Sequence, residues 1–239
     1  MRFCLKGVAN LSINVYICKL FIYFFMITNT ASLDLVEFIE TKILPKYAAF
    51  DKAHGLQHVQ RVIKRSLDLV RKTGADINMV YTVAAYHDIG MSGPRAIHHI
   101  TGGKMLAADT RLKRWFTAEQ IKIMKEAVED HRASASHAPR SIYGKIVAEA
   151  DRDLDPETVF RRTVQFGLAN YPELNREQHW LRFQGHMDNK YSVHGYIHLW
   201  IPGSENEQKI KELRAYIEEP VQLRKWFERI YDEETASAN

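Results

Sequence analysis

Beyond residue 25 the chain contains no cysteine; Cys4 and Cys18 both lie before it. This excludes disulfides and thiolate metal sites from the body of the protein, and fits a reducing cytoplasm. Proline and glycine are sparse, at 7 and 12 of 239 residues, and no low-complexity tract or internal repeat stands out. Repeat arrays are thereby set aside. No strong charge excess is present either. The net charge of +4 includes Arg2, Lys6 and Lys19 of the first 25 residues, which hold no acid, so the remainder has 30 cations against 29 acids. Such a balance gives no case for a nucleic-acid polymer as partner.

Long apolar runs are also missing, apart from Leu11 to Ile27, and that one is broken by Asn14 and Lys19. A membrane span needs about 20 apolar residues. Three readings of residues 1–25 stand: a signal peptide, with small residues at Thr30-Ala31-Ser32 for cleavage; a membrane anchor; or a leader upstream of a true start at Met26. The third is the preferred one, because the Phe, Ile, Tyr, Asn and Lys content is what AT-rich upstream DNA would encode. A start at Met26 leaves no membrane segment.

What is present is mostly helical periodicity. Ser32 caps a helix running to about Leu44 and stopped by Pro45. His58, Val62, Ser66 and Leu69 share one face of the next helix, which breaks at Gly74. Val80, Val83, Ala84 and His87 form the stripe of another, ended by Gly90, Gly93 and Pro94. His98-His99 open a helical stretch through Leu106 and Leu112. Thr117 and Gln120 have the spacing of a capping box, and the stripe Ile121, Met124, Val128 leads to His131. Ile142 to Leu154 reads as helix, and Asp155-Pro156 starts another. Asn175–Asn189, a segment through Ile210 and Ile217, and one through Leu223 and Ile230 complete the series. Tyr191 to Ile201 alternates weakly and suggests an extended segment or short hairpin. The expected class is all-α, with residues 32–239 as one unit: a motif core over 50–155 and a helical cap over 156–239.

Buried helix faces that end in histidine or aspartate set the functional expectation. A buried carboxylate is costly unless paired or bound to metal. Imidazole and carboxylate together suit first-row divalent ions such as Mn²⁺, Fe²⁺, Co²⁺ or Zn²⁺. His58, His87, Asp88 and Asp151 come from three separate helices, as ligands do in a helix-bundle metal site. Arg95, Lys104, Arg132, Arg140 and Arg152 lie close to them in sequence, and arginine suits bidentate phosphate contact. Trp180, Tyr196 and Trp200 could line a pocket, although packing is the more ordinary role for such rings.

The ordered set His58, His87-Asp88 and Asp151, with the run His87-Asp88-Ile89-Gly90 and the context Glu149-Ala150-Asp151, resembles the HD-domain superfamily of metal-dependent phosphohydrolases over about residues 50 to 155. The resemblance implies an all-helical bundle and hydrolysis of a phosphoester, often of a nucleotide or other small phosphate. It implies one or two divalent ions (Mn, Fe, Co, Ni, Zn or Mg), with Asp88 the bridge if there are two. By the same resemblance His131 and His99, with His98 the alternative to His99, would hold a second metal. Asp88, His131 and Arg132 would serve catalysis. Some relatives carry a glutamate three residues after the His-Asp pair as a base; here Met91 stands there. A metal can bring water to a pKa near ~7 without such a base, so the extra histidines and Met91 both favour two metals. The Glu-Asp pair of relatives that degrade guanosine alarmones is replaced by Ser92-Gly93-Pro94-Arg95, so that substrate is not assigned. Two rivals remain: a non-catalytic metal- or nucleotide-binding regulatory module, and a di-iron oxygenase on the same scaffold.

Overall fold

The structure is a computed structural model that describes residues 31–51 and 53–236. The three readings of residues 1–25, and the start at Met26, lie outside the described residues. Among the described residues ten α-helices follow one another and no strand occurs. They are α1 (Leu33–Lys42), α2 (Leu56–Thr73), α3 (Ile77–Tyr86), α4 (His98–Ala108), α5 (Ala118–Glu129), α6 (Ile142–Asp151), α7 (Pro156–Asn170), α8 (Arg176–Tyr191), α9 (Glu205–Glu218) and α10 (Pro220–Ala236).

Local chemistry accounts for most of the boundaries. The Asp76 side chain accepts from the Asn78 and Met79 N–H groups and starts α3. Thr117 and Gln120 do form the capping box of α5, and Asn175 and Gln178 form a second one on α8. Gly74, at φ 66°, ends α2 in the left-handed conformation that glycine adopts without penalty. Pro220 opens α10, where a missing N–H costs nothing.

Three expectations need correction. The first helix stops at Lys42, and Pro45 falls at the start of a separate 3₁₀ turn, Leu44–Ala49, since proline is tolerated in a first turn. The helix read as 142–154 ends at Asp151. Arg152 is extended, as the approach to the Asp155 cap of α7 requires. No hairpin forms over 191–201. The Tyr196 and Ile197 N–H groups donate to the Asn189 and Lys190 carbonyls at the end of α8, at 3.2 and 3.1 Å. The segment thus pairs with a helix terminus instead of a second strand.

Apolar side chains collect in two cores. The first joins α1 to α6 and takes in the fully buried Val80, Val83 and Ala84 of α3. The second joins α7 to α10 around Phe160, Phe183, Leu213 and Phe227. Trp180 belongs to this second core, which settles it as packing. Glu149, fully buried in α6, ties the chain between α8 and α9 to the first set. Its carboxylate accepts from the Trp200 N–H at 2.8 Å and the Ser204 hydroxyl at 2.5 Å.

Candidate metal centre

The clustered histidines and aspartates sit at helix termini. His58 is in the first turn of α2. His87 and Asp88 directly follow α3, His98 opens α4, His131 follows α5 by two residues, and Asp151 is the last residue of α6. Three helix C-termini and two N-termini therefore meet, and the C-termini carry partial negative charge that favours a cation. Gly90 makes the approach of α4 possible. A Cβ there would fall 2.0 Å from the His98 carbonyl oxygen and 2.6 Å from the Gly102 nitrogen, so no larger residue fits without moving the backbone.

Asp88 lies between two groups of histidines. Its Oδ2 is 3.3 Å from His58 Nε2 and 3.2 Å from His87 Nε2. Asp151 Oδ1 is 3.2 Å from the same His58 nitrogen and 3.9 Å from that of His87. The other oxygen, Oδ1, is 3.3 Å from His98 Nε2 and 3.4 Å from His131 Nε2, and these two nitrogens are 3.2 Å apart. The sets His58, His87, Asp88 and Asp88, His98, His131 each bring their ligand atoms close enough to share an ion. This His/Asp cluster could hold a metal.

Three of the four imidazoles are fixed in the tautomer that a metal needs. Nδ1–H of His87 donates to the Ala84 carbonyl at 2.8 Å, that of His98 to Arg95 at 2.7 Å, and that of His131 to Val128 at 2.6 Å. A carbonyl can only accept, so the proton is on Nδ1 and Nε2 faces the cluster. His58 differs: Arg61 Nη2 lies 3.3 Å from its Nδ1. Coordination through His58 Nε2 requires a proton on that Nδ1 and a turn of Arg61 away from it.

The electrostatics are those of a site that protons and a cation compete for. Burial opposes charge on His58, but the hydrogen bonds to Asp151 and Asp88 prevail and lift it to about 9. Burial likewise opposes charge on His87, and Asp88 beside it prevails, so its pKa is raised. Burial pushes the Asp88 and Asp151 carboxyls up, yet the surrounding histidines hold both below the usual carboxylate range.

Among the described residues His99 does not join the cluster; its neighbour His98 does. In a helix the two side chains point about 100° apart, and Gly90 selects the face of α4 that carries His98. His99 Nδ1 is buried without a partner, and burial, followed by the positive charge of Arg132, holds it down to about 4.

A cavity of about 390 Å³ opens beside the cluster. His58, Asp88, His98, His131 and Asp151 line one part; Arg162, Lys190, Tyr191 and Tyr196, from the C-terminal helices and the segment after them, line another. Arg95, Arg132 and Arg152 reach it as well. Arg132 is anchored by a 2.7 Å bond from Nη1 to the Ala96 carbonyl. Arg140 is engaged elsewhere: it grips the buried Asp130 at 2.8 Å and Glu129 at 3.0 Å, closing the 132–140 loop, and Lys104 does not line the cavity. Arg162 and Lys190 were not foreseen from the sequence. They lie far from the His/Asp motif along the chain, and only the packing of α7 and α8 brings them to it.

Residues 55–154 match the HD domain family. A stretch of 115 residues, 46% of the chain, is 31% identical to the tRNA (cytidine(56)-2'-O)-methyltransferase of Thermoplasma volcanium. The chain spans about a third (33%) of that protein's length. No solved structure matches.

Proposed function

With residues 55–154 an HD domain, we propose that this chain is a metal-dependent phosphohydrolase acting on a small phosphorylated molecule, with a nucleotide the leading class. One observation carries the reading: Asp88 directs its two oxygens to two separate histidine groups beside a cavity rich in arginine and lysine. His58, His87 and Asp151 would hold one divalent ion, His98 and His131 the other, and Asp88 both. A bound pair of divalent ions supplies charge neutralisation at the phosphoryl oxygens and acidifies water. The chain's own residues do the rest. Nδ1–H bonds to backbone carbonyls keep three imidazoles in place. Arg132, Arg95 and Arg152 orient the phosphate and stabilise its spreading charge. Met91 cannot take a proton, so the sequence offers no base at that position.

The test is a panel of phosphoesters with the full chain and Mn²⁺, Co²⁺ or Ni²⁺, with Asp88→Ala as control. Turnover that Asp88→Ala abolishes supports the reading. No turnover, with metal still bound, favours the regulatory module. Oxygen consumption by an iron-loaded form favours the oxygenase.

A second reading takes RNA as the substrate or partner. It rests on the similarity to the Thermoplasma volcanium protein, whose name gives an activity on tRNA. Retention of tRNA by the chain at physiological salt would support it. No helix among the described residues is long and apolar enough to cross a membrane.

A further inference from the structure

Lys190, in the last turn of α8, lines two cavities. One is that beside the His/Asp cluster. The other, of about 330 Å³, is lined from α7 and α8, and Arg95, Asp153, Arg162, Lys190 and Tyr191 line both. Arg182 and His186 line the second alone. The two therefore adjoin, and arginine and lysine outnumber acids in their lining.

Among the described residues Lys190 and Arg182 have no ion-pair partner. Lys190 is half-buried and has no hydrogen bond or ion pair to an acid among the described residues; its ammonium lies 5.0 Å from the centre of the Tyr191 ring. Three other lysines, Lys125, Lys209 and Lys211, each pair with a glutamate one helical turn away. Burial presses the Lys190 pKa down; Tyr196 and Asp151 pull it up without offsetting this, and the positive charges of Arg152 and Arg162 add to the lowering. Arg152 is 7% exposed; its Nη1 lies 3.8 Å from a Glu149 carboxylate oxygen, while its Nε has no hydrogen-bond partner. Arg182 donates to the Thr163 carbonyl and, among the described residues, pairs with no carboxylate. Gly167 gives it room, since a Cβ there would lie 2.6 Å from Nη2. The acid in the second cavity, Asp153, is shared between Arg65 at 3.6 Å and Arg162 at 4.0 Å. Unpaired charge held partly away from water is costly, and an anionic ligand relieves that cost.

We propose that Lys190, Arg162 and Arg182 form a second phosphate subsite, so that the substrate carries two separate phosphoryl groups. The class is a nucleoside bisphosphate or another small molecule with two phosphoryl groups. One group is for the His/Asp cluster, and the other for the α7–α8 side. This rests on the hydrolase reading above.

The experiment compares AMP with adenosine 3',5'-bisphosphate, using the full chain loaded with Mn²⁺. The bisphosphate is expected to show a kcat/KM at least about tenfold higher, in line with a charge-assisted contact of about 1.4 kcal/mol or more. Lys190→Met is expected to bring the ratio toward one, mainly through KM, and Lys190→Arg to restore most of it. Arg162→Met, at an exposed position, gives the same reading should Lys190→Met fail to fold. A wild-type ratio near or below one, or a ratio that neither methionine variant changes, overturns the subsite. If neither nucleotide is hydrolysed, the phosphoester panel above decides the hydrolase reading, and calorimetric titration of the same pair decides the subsite. Tenfold tighter bisphosphate binding that Lys190→Met removes supports it; equal affinities overturn it.

Discussion

Asp88 meets His98 through Oδ1, at 3.3 Å, the carboxylate oxygen that it does not offer to His58. One carboxylate thus serves two imidazole groups, and its removal should cost more than that of any one histidine. Asp88→Asn is expected to lose both metals. His98→Ala should lose one and keep the other, whereas His99→Ala should keep both. Metal analysis of the three purified variants checks this, and equal loss in His98→Ala and His99→Ala would refute the assignment of His98.

Gly90 sets the position of His98 through contact with its carbonyl. Gly90→Ala forces backbone apart, and overpacking of this kind costs about 1–3 kcal/mol. The variant should melt several degrees lower and also bind the second metal more weakly. Thermal melting with and without Mn²⁺ reads both effects. An unchanged Tm would show that α4 tolerates the shift.

Much of this was legible in the chain because the ligand-type residues lie at the ends of periodic apolar stripes. The stripe Val80, Val83, Ala84, His87 predicts a buried helix end, and His87 is fully buried there. Thr117 and Gln120 give their cap by spacing alone. The choice between His98 and His99 was not legible. Adjacent residues on a helix differ by face, and the face is fixed by the contact with Gly90, which no local pattern reveals. Lys190 and Arg162 were hidden for another reason: they lie on an amphipathic cap whose docking depends on long-range packing. The weak alternation over 191–201 misled because Ile197 and Ile201 are buried while the backbone bonds to a helix end.

The pH dependence of stability should differ between metal-free and metal-loaded protein. His58 is raised from 6.5 to about 9 in the fold. A raised pKa contributes stability that is complete below about 6.5 and lost as pH rises toward 9. Asp88 and Asp151 are lowered from 3.8, so their contribution is present above that value and lost on acidification below it. Metal-free protein should therefore lose Tm between pH 6.5 and 9. A cation needs neutral imidazole, so Mn²⁺ should protect more as pH rises over that window. Melting curves in EDTA and in Mn²⁺ at several pH values test this; a metal-induced shift that shrinks with pH would contradict it.

Glu149 joins α6 to the segment that carries Trp200 and Ser204. Glu149→Ala leaves those donors unsatisfied and is expected to cost about 2–4 kcal/mol, with Glu149→Gln costing less. Asp151 is two residues away, so the alanine variant should also weaken metal binding. Urea denaturation and a metal titration check the pair of effects. A destabilisation below about 0.5 kcal/mol would mean that the tie contributes little.

Anomalous diffraction from a crystal soaked in Mn²⁺ tests the central claim most directly. Two peaks are expected about 3.5–4 Å apart, one beside His58, His87 and Asp151, the other beside His98 and His131, with Asp88 between. A single peak away from Asp88, or no peak at the cluster, would contradict it.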